Sequence, residues 1–119
     1  MFAALDRAGY AVSIPFGRAR RYECVVERHG AFLRVQVKTG FQDGGGAIRW
    51  ECRSVRFYDS RSRAYRGEAD LFAVWVPETR ECYLVPVEEC GRRMATLRVE
   101  PPRNGQRRRI RLAAEYRLT

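Results

Sequence analysis

Residues 22–40, YECVVERHGAFLRVQVKTG, decide the fold. Two runs that alternate apolar and polar residues, YECVVER at 22–28 and AFLRVQVK at 31–38, flank His29 and Gly30. That is the pattern of two antiparallel strands joined by a two-residue turn. With the turn at His29-Gly30, Arg28 faces Ala31, Glu23 faces Gln36 and Arg21 faces Lys38. Opposed residues share a face of a sheet and successive residues alternate. Glu23, Gln36 and Lys38 therefore converge on one polar face, and Tyr22, Cys24, Val26, Leu33, Val35 and Val37 make an apolar reverse. A slip of one residue would send Glu23 to the other face and dissolve the group.

Lys38 is the only lysine among 23 basic residues; the others are arginine. A half-buried strand ordinarily has a polar, solvated face, and that reading accounts for the alternation by itself. The isolated lysine argues for chemistry instead. A guanidinium stays protonated and spreads its charge over a plane, whereas an ammonium is a compact charge that can be aimed at one water or one phosphoryl oxygen.

The surrounding chain bounds the answer. Its 119 residues suit one domain, 1–119, and 45% hydrophobic with 31% charged residues is a globular profile. A formal charge of +9 and a pI near 10.1 point to a polyanionic partner. No apolar run is long enough to cross a bilayer, and Asp6 and Arg7 interrupt the start where a signal peptide needs apolar residues, so a cytoplasmic protein with no membrane partner is expected. Cys24, Cys52, Cys82 and Cys90 form no CxxC pair and have one histidine to help them, which argues against zinc; Cys24, Cys52 and Cys82 read as small buried hydrophobes. His29 has no second histidine and serves as a turn residue, so His-paired nucleophiles are excluded. Gly44, Gly45 and Gly46 lack the lysine and following helix of a phosphate-cradling loop.

Outward from the hairpin, FAALDRAG at 2–9 reads as a short, truncated helix stopped by Gly9, YAVSIP as an extended segment, and FGRARR as a basic loop. TGFQDGGG at 39–46 reads as a flexible loop and AIRWECRSV at 47–55 as a third strand. DSRSRAYRG is an arginine-rich, irregular connection. LFAVWV at 71–76 has the continuous apolar character of a strand buried on both faces. ECYLVPV and ATLRVE are further strands, VEEC begins a helical turn, and RRRIRLAAEYRL at 107–118 predicts a closing helix. Trp50, Phe72 and Trp75 fall on core faces and read as packing residues.

A carboxylate on one strand followed by Q-x-K on the next resembles the signature of the PD-(D/E)XK nuclease superfamily, here Pro15, Glu23 and Gln36-Val37-Lys38. The order GYAVSIP, RYECVVE, LRVQVKTG, GEADLFAVWVPET, CYLVPV and AAEY is similar to the QxK subgroup related to group I intron homing endonucleases and, more distantly, to archaeal Holliday junction resolvases. The resemblance runs from about Gly9 to Tyr116. It implies an α/β fold, a mixed central sheet flanked by helices, and hydrolysis of DNA phosphodiesters with Mg²⁺ or Mn²⁺, by a homo-oligomer such as a dimer or tetramer. Carried over by position, Glu23 would bind metal, Gln36 would position the metal's waters or a phosphate oxygen, and Lys38 would orient or activate the attacking water. Asp70 matches an aspartate that recurs before the buried strand, as either a structural residue or one at the edge of the site; Asp43 and Glu51 are further acids, with surface roles favoured. Two departures stand out: Glu23 replaces the usual aspartate, and Asp6 lies too near Gly9-Tyr10 to match the glutamate that the family carries on an N-terminal helix. The alternative is therefore a degenerate nuclease fold that binds nucleic acid without cutting it. For either reading Arg18, Arg20 and Arg21, and Arg107, Arg108 and Arg109 with Arg111, are the expected phosphate contacts.

Overall fold

The computed structural model describes residues 1–17, 22–55, 62–64, 68–91, 93–100 and 110–118. In chain order its elements are α1 (Phe2–Arg7), β1 (Ala11–Ser13), β2 (Cys24–Arg28), β3 (Ala31–Thr39), β4 (Phe41–Gln42) and β5 (Ala47–Glu51). Next come β6 (Arg53–Val55), β7 (Ser62–Ala64), β8 (Leu71–Val76), β9 (Glu81–Pro86) and β10 (Met94–Arg98), with 3₁₀ turns at Val87–Glu89 and Ala113–Glu115.

The hairpin forms in the register its turn dictates: Arg28 lies opposite Ala31 and Cys24 opposite Val35, and the Glu23 N–H extends the ladder to Val35 O at 2.8 Å. His29 (φ 54°) and Gly30 (φ 80°) both adopt left-handed backbone, the conformation of a type I′ turn. Gly30→Ala forces a Cβ into that region and is expected to cost about 1–2 kcal/mol, read as a lower urea midpoint.

β2 and β3 belong to a five-stranded mixed sheet of order β1-β2-β3-β8-β9, in which only β3 and β8 run parallel. A parallel pair needs a long crossover, commonly helical. Here the described crossover carries β4 to β7 instead. Part of it, with β10, forms a second sheet of order β10-β5-β4. Ile48, Trp50, Ala95 and Leu97 of this layer pack on Phe72, Val74 and Val76 of β8, with Trp50 edge-on to Phe72 at 6.3 Å. The opposite face of the main sheet buries Cys24, Val26, Val35 and Ala73 beneath Leu5 of α1. Burial pushes the Cys24 thiol up to about 11, with Glu23 adding to the shift, so it stays protonated.

The mixed-sheet, restriction-endonuclease-like fold class is as the sequence implied, with few helices around it. Several local expectations change. Tyr22 packs with the Trp50 and Phe72 cluster rather than on the reverse face, because β2 begins at Cys24 and strict alternation does not extend back through the bend at Glu23. The glycine stretch is ordered: Phe41 and Gln42 pair with Arg49 and Ile48, and Asp43 Oδ1 accepts from the N–H groups of Gly45 (2.9 Å) and Ala47 (3.2 Å). Those two bonds hold the Asp43 carboxyl below its ordinary range. The third strand breaks at Cys52 into β5 and β6, and Ser62–Ala64, expected as irregular, is β7. Residues 110–118 hold a single 3₁₀ turn in place of the closing helix. The segment is tied down by Leu84 N–H to Tyr116 O, Leu118 N–H to Cys82 O, and Tyr116 Oη donating to Glu89 Oε1 at 2.6 Å. Among the described residues no helix is long and apolar enough to cross a membrane.

Candidate active site

The register brings Glu23 and Gln36 together: Gln36 Nε2 donates to Glu23 Oε1 at 2.9 Å. Glu23 is exposed and Gln36 half-buried. With the amide nitrogen held by the carboxylate, the Gln36 carbonyl oxygen and the second Glu23 oxygen are the atoms available to a cation or a water. Lys38 follows two residues along the same face, about 6.6 Å further on. Its Nζ donates to the backbone carbonyl of Arg53 at 3.2 Å, so the start of β6 holds the ammonium at this position. In the parallel pairing Gln36 lies beside Phe72 and Lys38 beside Val74. The polar row thus sits where the hairpin emerges from under the second sheet, between an apolar wall and solvent.

Asp70 lies next along the row, and the structure gives it a partner. Arg34 Nε and Nη2 donate to its two oxygens at 3.1 and 3.0 Å, and the Arg34 N–H adds a bond of 2.8 Å. The Arg34 guanidinium holds the Asp70 carboxyl below its ordinary range. The pair edges a cleft of about 500 Å³ that Leu33, Ala69, Val87 and Glu88 also line. Asp70 is thereby placed as a clamp that joins β3 to the start of β8. Arg34 went unremarked at the level of sequence, although it occupies the same period-two row as Gln36 and Lys38.

A carboxyl whose folded pKa is depressed stabilises the fold above its unfolded pKa of about 3.9, and that contribution disappears as pH falls through the lower folded value. Asp70→Asn removes it at neutral pH. Because both side chains are about one-third exposed, 37% and 34%, the expected loss is modest, about 1 kcal/mol or less. Urea midpoints measured from neutral to acid pH should differ between the two proteins above the unfolded pKa and converge at the acid end.

Asp43 bridges to Arg49 at 3.4 Å and organises its turn, and Glu51 is exposed on β5; neither joins the row. Asp6 lies exposed on α1, which covers the opposite face of the main sheet. Arg18, Arg20, Arg21, Arg107, Arg108 and Arg109 lie outside the described residues. Arg111 donates to the Glu89 carbonyl. No group of three or more His, Cys, Asp or Glu is assembled for a metal among the described residues. The donors at Glu23 and Gln36 are both oxygen atoms, the ligand type magnesium prefers, and magnesium needs few of them from protein when a phosphate supplies others.

The mixed sheet thus carries a carboxylate, an amide and a lone lysine across one hairpin. The family model described as PD-(D/E)XK endonuclease matches residues 1–119, and the chain belongs to that family. Nucleases of this family generally use divalent metals. Among solved structures, a bacterial homing endonuclease is similar at 27% sequence identity and a TM-score of 0.70, over 98% of this chain and 82% of that one. No protein with a curated description matches.

Proposed function

We propose that this chain is a divalent-metal-dependent DNA endonuclease whose working groups are Glu23, Gln36 and Lys38. The observation that carries the reading is the 2.9 Å contact between Gln36 and Glu23 with Lys38 on the same face. A divalent cation held by Glu23 and Gln36 would offset the negative charge that develops on the phosphoryl oxygens. Glu23 contributes the anionic charge of the pair and, through its first oxygen, fixes which way the Gln36 amide faces. Gln36, being neutral, presents an oxygen without adding a second carboxylate beside Glu23, where two like charges would repel. Lys38 would set a positive charge beside the scissile phosphate, with its Nζ donating to Arg53 O at 3.2 Å. Held in place before the reaction, such a charge stabilises a transition state without reorganisation.

DNA is the substrate that the family and the basic charge support, and breaking both strands of a duplex calls for two such sites, hence a homo-oligomer. Four buried cysteines, none of them in a disulfide, suit a reducing cytoplasm. The test is nicking of supercoiled plasmid. Wild-type protein should nick with Mg²⁺ or Mn²⁺, stop in EDTA, and lose about 10²-fold or more in rate as Glu23→Ala. A Glu23→Ala protein that nicks at the wild-type rate refutes the assignment. DNA binding without nicking in any divalent metal would establish the alternative, a binding protein on a degenerate nuclease fold.

A further inference from the structure

The geometry points to Cys52 and Cys90 as a thiol pair that hydrogen peroxide closes into a disulfide, displacing the support of Lys38. The bond itself is independent of the function proposed above; its effect on nicking rests on that reading. Cys52 lies in the break between β5 and β6, and Cys90 follows the 3₁₀ turn Val87–Glu89. Both are buried in the core cluster of Trp50 and Phe72, and their side chains are hydrogen-bonded to each other. Backbone bonds pin each of them, Cys52 N–H to Arg93 O at 2.7 Å and Cys90 N–H to Val87 O at 3.0 Å. Each cysteine also adjoins a support of the polar row. Arg53, next to Cys52, supplies the carbonyl that accepts from Lys38 Nζ. Val87 N–H, at the start of the turn before Cys90, bonds Asp70 O at 2.9 Å.

The two thiols are not equivalent. The hydrogen bond from Cys90, helped by the Lys38 and Arg111 cations, outweighs burial and holds the Cys52 thiol below its ordinary range. Cys90, whose Sγ also donates to Pro86 O at 3.4 Å, is pushed up by its bond to Cys52 and by burial, so it keeps its proton. Burial pushes up the thiols of Cys24 and Cys82 as well. At 2% and 3% exposure the pair is closed to bulky reagents, which leaves a small, uncharged oxidant. The Cys52 thiolate attacks one peroxide oxygen and the O–O bond breaks, giving a sulfenic acid. The departing hydroxide takes up the proton that Cys52 had released and becomes water. Cys90 sulfur then attacks Cys52 sulfur, the S–O bond breaks, and hydroxide leaves with the Cys90 proton as a second water. Two thiols lose two electrons and one peroxide gains them. A covalent S–S bond is shorter than the contact it replaces, so Cys52 is drawn toward the turn and the Arg53 carbonyl moves with it.

The experiment treats full-length native protein with hydrogen peroxide, quenches it, and counts thiols after unfolding. The four thiols of the reduced chain should fall to two, with peptide mapping joining Cys52 to Cys90. Cys90→Ala and Cys52→Ala should each form no disulfide. Four thiols left in the wild type, or a bond to Cys24 or Cys82 instead, would overturn the inference. Since Lys38 is the only lysine, protein made with ¹³C-lysine gives one lysine Cε signal. Oxidation should shift that signal in the wild type, dithiothreitol should return it, and in Cys90→Ala it should stay put. A wild-type signal that ignores the disulfide would break the link to Lys38 and overturn the switch. Nicking by the oxidised wild type should fall by about 10²-fold, the loss that a displacement of about 1 Å can cause, and recover with dithiothreitol. Cys90→Ala should nick alike with and without peroxide; an equal loss in that variant would also reject the switch. Reduced protein that nicks in no metal would refute the proposed function, while the thiol count and the Lys38 signal would still decide the disulfide. Nicking that depends on Glu23 but not on oxidation would keep the active site and reject the switch.

Discussion

Lys38→Ala is expected to slow metal-dependent nicking of plasmid DNA by about 10²–10³-fold, the loss typical when one preorganised group facing a developing oxyanion is removed. Binding of duplex in EDTA should change little, since Lys38 is one of 23 basic residues and contributes at most one phosphate contact. That contrast separates a chemical role from a general electrostatic one. Lys38→Arg should recover little of the rate. The guanidinium is planar and longer, and it would carry its charge past the point at which Arg53 O holds the ammonium. Rates measured at saturating metal and DNA decide the matter: Lys38→Ala nicking within a few-fold of wild type would remove Lys38 from the site.

Gly40→Ala should destabilise the protein by about 1–3 kcal/mol, the usual cost of forcing a methyl group into a packed interior. Gly40 is buried at the end of β3, where the chain passes from the main sheet to the second one, and its N–H bonds Trp75 O at 2.7 Å. An added Cβ would lie 2.7 Å from Val74 Cγ1 and 3.1 Å from Ile48 Cγ2, one on each sheet. Both neighbours are fully buried and β-branched, so neither can turn aside cheaply. The sheets would have to separate, and Lys38, two residues away, would move with β3. Gly44→Ala is the matched control: nothing lies within 4 Å of its added Cβ, and its stability should stay within about 0.5 kcal/mol of wild type. Thermal melts followed by circular dichroism, with nicking rates on the same preparations, test both.

The parts legible beforehand are those set by local chemistry. Alternation along 22–38 and a left-handed His29-Gly30 turn specify the register, and the register alone brings Gln36 to Glu23. The apolar run at 71–76 likewise specifies β8, buried on both faces, and Gly9 at φ 95° stops α1 as its position predicts. Turn geometry and side-chain period act within a few residues, so they can be read from the residues themselves.

What tertiary structure decided are the pairings between distant segments. The glycine stretch gains β4 because β5 offers it a partner, and the strand expected over 47–55 breaks so that β6 can pair with β7. The 110–118 segment is drawn onto β9 by backbone bonds from Leu84 and Leu118, which compete with the helical bonds its composition favours. Tyr22 turns toward the second sheet because that layer provides an apolar surface which no property of residue 22 reveals. The partners of the row are of the same kind: Arg34 meets Asp70 across 36 positions of chain and Lys38 meets Arg53 across 15. The sequence by itself determined which three side chains share a face, because strand period and turn type are local. Only the tertiary structure decided what holds them there, because hydrogen-bond partners for Lys38 and Asp70 exist only once the crossover has folded back over β3.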